Sequence, residues 1–186
     1  MTCVRVKGVA QKRTLPTITK TSAKTGAKSG AKTGAGKTGH KQVAKSQKPR
    51  KQYGVLPYLY IGGKLRVVVI TSRTNANWIF PKGRRIPGLS RPDGALQEAR
   101  EEAGLTGRRG GKMKLRGIVD HPDGKIDLTL YPMRVDKLLK RWPEAHQRKR
   151  AIVSVNKAAR LLTFSTSKQM LRTWAKKHRK DPGKKG

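Results

Sequence analysis

Acidic side chains are scarce: ten Asp and Glu stand against 45 Lys and Arg in 186 residues, a formal net charge of +35. A surplus of that size draws polyanions toward the chain and quickens their capture. The single cysteine, Cys3, excludes an internal disulfide and a thiolate metal cluster. Aromatic residues make up only 5% of the chain and show no stacking pattern for single-stranded nucleic acid, so any nucleic-acid binding should be non-specific. No run of 18 apolar residues is present, and no short apolar core of a secretory signal, so a soluble, cytoplasmic protein is expected. His40, His121, His146 and His178 are scattered without metal-ligand spacing.

What the chain has is unevenly placed. Residues 1 to 52 carry fourteen Lys or Arg and no Asp or Glu, with few large apolar side chains after Ile18. Such a segment cannot bury enough surface to offset the entropy of ordering and is expected to be disordered. Its centre, Ala23-Lys24-Thr25-Gly26-Ala27-Lys28-Ser29-Gly30, is a degenerate repeat of the linker-histone-like kind. The repeat predicts a mobile polycation that binds nucleic acid through its phosphates and associates with the nucleoid. The string Ala31-Lys32-Thr33-Gly34-Ala35-Gly36-Lys37-Thr38 imitates a phosphate loop but lacks the delivering strand and the following helix, so it is rejected. Met1 to about Lys20 is basic, hydroxyl-rich and acid-free, as transit peptides are, but no amphipathic Leu or Phe stripe supports import.

Against this background, Glu98, Glu101 and Glu102 form an acidic knot at i, i+3 and i+4. On a helix they fall within roughly 100° of arc, where like charges repel by a few tenths of a kcal/mol per pair. A solvated acidic face is one reading; a hard divalent cation that offsets the repulsion is the other. Ser90-Arg91-Pro92-Asp93 reads as a helix cap with proline in the first turn, and Gly104 as a left-handed stop, which predicts a helix over Arg91 to Ala103. Ala95, Leu96, Ala99 and Ala103 would be its apolar stripe.

The run from Gly83 to Gly104, with Trp78-Ile79-Phe80-Pro81-Lys82 before it, resembles the Nudix box. Gly83, Glu98, Glu101, Glu102, Gly104 and Leu105 stand where that motif expects them, and the likeness covers about residues 52 to 162. Leu89 replaces the usual glutamate and Gln97 the usual arginine, a pair that in the family braces the loop; Leu89 would instead pack against the domain. The run Pro81 to Leu89 and the segment Trp142 to Arg148 look most like a bacterial branch related to diphosphoinositol and diadenosine polyphosphate hydrolases. The resemblance implies Glu98, Glu101 and Glu102 as ligands of Mg²⁺ or Mn²⁺ and as the catalytic residues of pyrophosphate hydrolysis on a phosphorylated small molecule. Glu101 and Glu102 would lead, with Glu98 close behind.

Lys82, Gly83, Arg84 and Arg85 lie on the loop that enters the helix and are candidates to grip phosphates; a merely solvated basic loop is the alternative. Glu144 is a candidate general base, weighed against a turn-forming surface acid.

The remaining chain alternates strands and helices. Tyr53 to Ile61 and Leu65 to Thr71 read as a hairpin across Gly62-Gly63, with Pro57 marking an edge or a bulge. Trp78 to Phe80 reads as a short strand, Lys112 to Val119 and Ile126 to Val135 as a pair across His121 to Gly124, and Arg150 to Val155 as the last strand. Helices follow from about Asn156 to Leu162 and from about Ser167 to His178. The expected fold is α/β, an α/β/α sandwich with a mixed sheet, in which residues 1–52 are the tail, 53–164 the domain and 165–186 a basic C-terminal helix and tail. A different class of function stays open: a nucleoid- or RNA-associated binding protein whose Nudix-like domain has weak activity or none.

Overall fold

The computed structural model describes residues 48–178; the readings of the tail up to residue 47 lie outside the described residues. Eight strands form one mixed sheet in the order β3-β2-β1-β7-β5, with β4 on β1, β6 on β7 and β8 on β2. The expected hairpin is present as β1 (Arg50–Ile61) and β2 (Lys64–Thr71). Gly62 and Gly63 both take positive φ, +56° and +71°, which a two-residue turn matching the strand twist requires.

Two expectations about β1 fail. Arg50, Lys51 and Gln52, read as tail, are strand, because they pair in parallel with Ile126, Asp127 and Leu128 of β7 (Gly124–Leu138). Pro57 is not on an edge, since it sits opposite Met133 inside the β1–β7 ladder. The Val55 N–H points the other way, to Pro81 O at 3.0 Å, and Pro57 shares that direction by alternation. Pairing with β2 begins only at Tyr58, so the missing N–H falls in a gap in the ladder.

β3 (Trp78–Ile79) and β8 (Arg150–Ser154) are each shorter by one residue than expected, and β6 (Leu115–His121) is displaced by two to three residues. Two strands had no forecast: β4 (Lys82–Gly83) and β5 (Leu105–Arg109). The sequence Leu-Thr-Gly-Arg-Arg has little strand propensity, and β5 is held instead as an edge against β7, with a bulge at Thr106/Gly107.

The sheet is covered on both faces, as an α/β/α sandwich demands. Helix α1 (Arg91–Ala103) lays Ala95, Ala99 and Ala103 against Val55, Val68, Ile70 and Met133. On the opposite face α2 (Val155–Leu161) and α3 (Ser165–Lys177) close over Leu56, Val67, Leu128 and Leu130. The boundary drawn at residue 164 cuts through this second core: Met170, Leu171 and Trp174 of α3 are buried in it, and Trp174 is fully enclosed. Basic residues on α3 mask the apolar stripe that fixes it to the sheet. Trp174→Ala should therefore cost about 3–5 kcal/mol by chemical denaturation, the loss typical of a buried aromatic. A change under about 1 kcal/mol would show α3 to be an appendage.

Candidate active site

The scaffold of the site is α1, and its ends are set locally. Ser90 caps it, its hydroxyl accepting from Asp93 N at 3.3 Å, and Pro92 occupies the first turn. Gly104 stops it in the left-handed region at φ +61°, its N–H donating to Arg100 O at 3.1 Å. Arg150 of β8 reinforces that end by donating to Ala103 O at 2.7 Å and Gly104 O at 3.2 Å, while its guanidinium lies 4.3 Å from the Trp142 ring centroid.

β4 brings the loop to the helix. It pairs with Tyr53 and Gly54 of β1, and Lys82 N donates to Glu102 Oε2 at 2.9 Å. Gly83 lies so close to the Glu98 carboxylate that a Cβ there would collide with it. Beyond Gly83 the loop turns at Ile86, whose carbonyl accepts from Leu89 N at 3.3 Å and whose side chain covers Gly94. Ile86, not Leu89, is the apolar anchor; Leu89 is exposed, contrary to expectation. Gln97 turns to its own helix and donates to Glu101 Oε1 at 2.8 Å.

The three glutamates are not equivalent. Glu102 is buried at 7% exposure and held on both oxygens, one by Lys82 N and the other by Arg148 Nη2. Arg148, itself buried, also donates through Nε to Glu144 Oε2 and through Nη1 to Thr71 O at 3.0 Å. Burial pushes the Glu102 carboxyl up to about 7, with Arg148 and the Lys82 N–H pulling it back. Burial also raises Glu98, helped by the charges of Glu101 and Glu144. Glu98 has no hydrogen-bond partner among the described residues. Glu144 is half-buried rather than a free surface acid, with Arg73 3.7 Å away. Burial lowers the Lys82 ammonium although Glu102 and Glu98 lie close enough to oppose the shift.

Arg148, Thr71 and Arg73 were not anticipated. Arg148 stands in Gln147-Arg148-Lys149-Arg150, a run that reads as solvated. Arg84 and Arg85, by contrast, are exposed where the sequence placed them.

No family model matches the chain. Among curated proteins it is 31% identical over 143 residues to Nudix hydrolase 17, mitochondrial, of Arabidopsis thaliana, covering 67% of this chain and 72% of that protein. The chain belongs to the Nudix hydrolase family. It is also 32% identical over 98 residues to diphosphoinositol polyphosphate phosphohydrolase 2 of Homo sapiens, covering 52% of this chain and about half, 53%, of that protein. The Ap4A hydrolase of C. elegans shares the fold at a TM-score of 0.60 and 17% identity, over 70% of this chain and 98% of that one.

As a Nudix-type pyrophosphohydrolase the chain is expected to use a divalent metal ion, and its donor chemistry suits one. Oxygen donors alone, on Glu98, Glu101, Glu102 and Glu144, fit a hard cation. Among the described residues, however, no three Asp, Glu, His or Cys side chains converge on one point. Glu102 is engaged by Arg148, which leaves Glu98 and Glu101 as the more available carboxylates. Mg²⁺ commonly takes only one or two protein carboxylates and completes its shell with water and substrate phosphates, so Glu98 and Glu101 would be enough to hold one.

The raised Glu102 value carries a sign. A carboxyl that binds its proton more tightly folded than unfolded favours the folded state below about 4.5, and the benefit is lost as pH rises through about 7. Glu102→Gln should flatten that part of the stability-versus-pH curve. In ¹³C-detected titrations Glu102 should ionise near 7, and Arg148→Met should move it higher; an ordinary carboxylate midpoint in the wild type would remove the burial argument.

Proposed function

We propose that the chain is a metal-dependent hydrolase that cleaves a pyrophosphate bond in a nucleoside- or inositol-polyphosphate substrate. The observation that carries this reading is the placing of Lys82 and Glu98 beside the buried Arg148–Glu102 pair where β4 meets α1, with Glu101 one turn along the same helix face from Glu98. The names of the plant and human relatives and of the Ap4A hydrolase support the substrate class. We retain kinship with the diphosphoinositol and diadenosine polyphosphate hydrolases, and with their bacterial branch, as part of this proposal.

While Glu101 lines a separate hollow of about 690 Å³ with Gln97, Arg100 and Arg141, a hollow of about 430 Å³ reaches the acids through Arg148 and is lined in part by Arg73, Trp78, His146 and Lys149. Its cations suit the phosphate chain, with Lys82, Arg84 and Arg85 as further grips on the loop side. Glu98 and Glu101 would supply oxygens to Mg²⁺ or Mn²⁺, which when bound would neutralise phosphate charge and activate water. The water oxygen attacks phosphorus, the bridging P–O bond breaks, and the water protons pass to carboxylate and solvent. Glu144 we assign to fixing Arg148 rather than to taking that proton, because it is already paired with the guanidinium. Gly83 leaves room for Glu98 to reach its position.

Glu101→Gln should reduce Mg²⁺-dependent hydrolysis of a diadenosine polyphosphate or an inositol pyrophosphate by at least ~10²-fold, with an unchanged unfolding midpoint. Size and helix propensity are kept while a ligand charge is lost. Unchanged turnover would take Glu101 out of the mechanism.

Residues 1–52 we read as a polycation that adds non-specific nucleic-acid binding, with cytoplasmic and nucleoid-associated location as its consequence. Because β1 begins at Arg50, the cut that tests this is placed before residue 48. Removal of residues 1–47 should leave turnover of a small dinucleotide within about twofold while weakening RNA and DNA binding and flattening its salt dependence. Loss of turnover without unfolding would join the tail to the active site.

A further inference from the structure

At the β6 end of the sheet, on the face that carries α1, three strands place a row of side chains side by side. Thr129 of β7 lies opposite Tyr53 of β1 on one side and opposite Arg116 of β6 on the other. Tyr131 follows Thr129 on the same face, Lys51 precedes Tyr53, and Lys114 precedes Arg116, each two residues along an alternating chain. Arg91, the first residue of α1, closes the group. Together these residues line a hollow of about 90 Å³. No residue of this hollow lines the one that holds Arg73 and Arg148.

Its floor is made of hydroxyls and its rim of cations. Tyr53, Thr129 and Tyr131 are buried residues whose hydroxyls have no hydrogen-bond partner among the described residues and are open to the hollow rather than sealed in the core. Burial raises the Tyr131 phenol, which keeps it a donor. Two arginines are held in place over the rings: the Arg91 guanidinium lies 5.5 Å from the Tyr53 centroid and that of Arg109 5.8 Å from the Tyr131 centroid. The cluster draws one ion pair among the described residues, Arg116 with Asp127 at 3.8 Å. The other cations have no acid within ion-pair distance among the described residues, and Arg91 sits at the positive end of a helix, where a cation is unfavourable.

We propose that this hollow binds a phosphate group. A tetrahedral dianion accepts from several hydroxyl and guanidinium donors at once, satisfies the unpartnered phenols, and relieves the repulsion at the rim. The volume is too small for a nucleoside or sugar and suits one phosphate, free or within a nucleic-acid backbone. The hollow shares no lining residue with the one that Arg148 lines, although Tyr53 pairs with Gly83 of the Nudix loop.

The four tyrosines of the chain, Tyr53, Tyr58, Tyr60 and Tyr131, provide a local readout that the basic tail does not obscure. The full chain with ¹³C-labelled tyrosine rings is titrated, without added metal, with inorganic phosphate and separately with a short single-stranded RNA. The Tyr53 and Tyr131 signals should move and those of Tyr58 and Tyr60 should stay. Lys114→Gln with Arg116→Gln should weaken the response at least tenfold while leaving Mg²⁺-dependent hydrolysis of a small substrate unchanged. A response to RNA but not to inorganic phosphate supports the site and assigns it to backbone phosphates. Unmoved Tyr53 and Tyr131 signals in both titrations, or an undiminished response in the double variant, would overturn it.

Discussion

The buried pair between Arg148 and Glu102 is the constraint on which the rest of the site depends. A guanidinium and a carboxylate taken out of water are costly unless every donor and acceptor is used. Here they are used: Glu102 takes Lys82 N on its second oxygen, and Arg148 spends its remaining groups on Glu144 and Thr71 O. The pair therefore ties together β4, α1, the end of β2 and the loop before β8, four segments distant in the sequence. Loosening any one of them would leave a charge unpaired in the interior.

Within this arrangement the acids are divided by environment. Glu102 serves the scaffold, whereas Glu98 and Glu101 remain available, although all three share one helix face. Identical side chains at the spacing i, i+3, i+4 thus acquire different duties from what the neighbouring segments place against them.

Much of the fold was legible because its signals are local. The α1 boundaries follow from Ser90, Pro92 and Gly104, and the hairpin from Gly62-Gly63, and both stand where the sequence placed them. What escaped was decided by partners far along the chain. Arg50 to Gln52 become strand only because β7 offers a parallel edge, and Leu105 to Arg109 only because the far half of β7 needs covering. The candidate glutamates were visible through spacing, but their inequality was not, since Arg148 comes from 46 residues beyond Glu102 and looks like one of four solvated polar residues. Leu89 likewise looked like the loop's anchor, a part taken by Ile86 through its fit on Gly94.

Arg148 and Arg150 are two residues apart on an extended segment, so both side chains face α1 while Lys149 faces outward. One arginine meets the acidic flank of the helix and the other its carbonyl end. The segment works as a two-pronged gauge of register. A single residue inserted between the prongs would turn one of them to solvent, whereas insertions earlier in the connection from Leu139 would leave both in place. Length variation among natural or engineered forms of this chain should therefore accumulate on the Leu139 side of Arg148 and stop abruptly there.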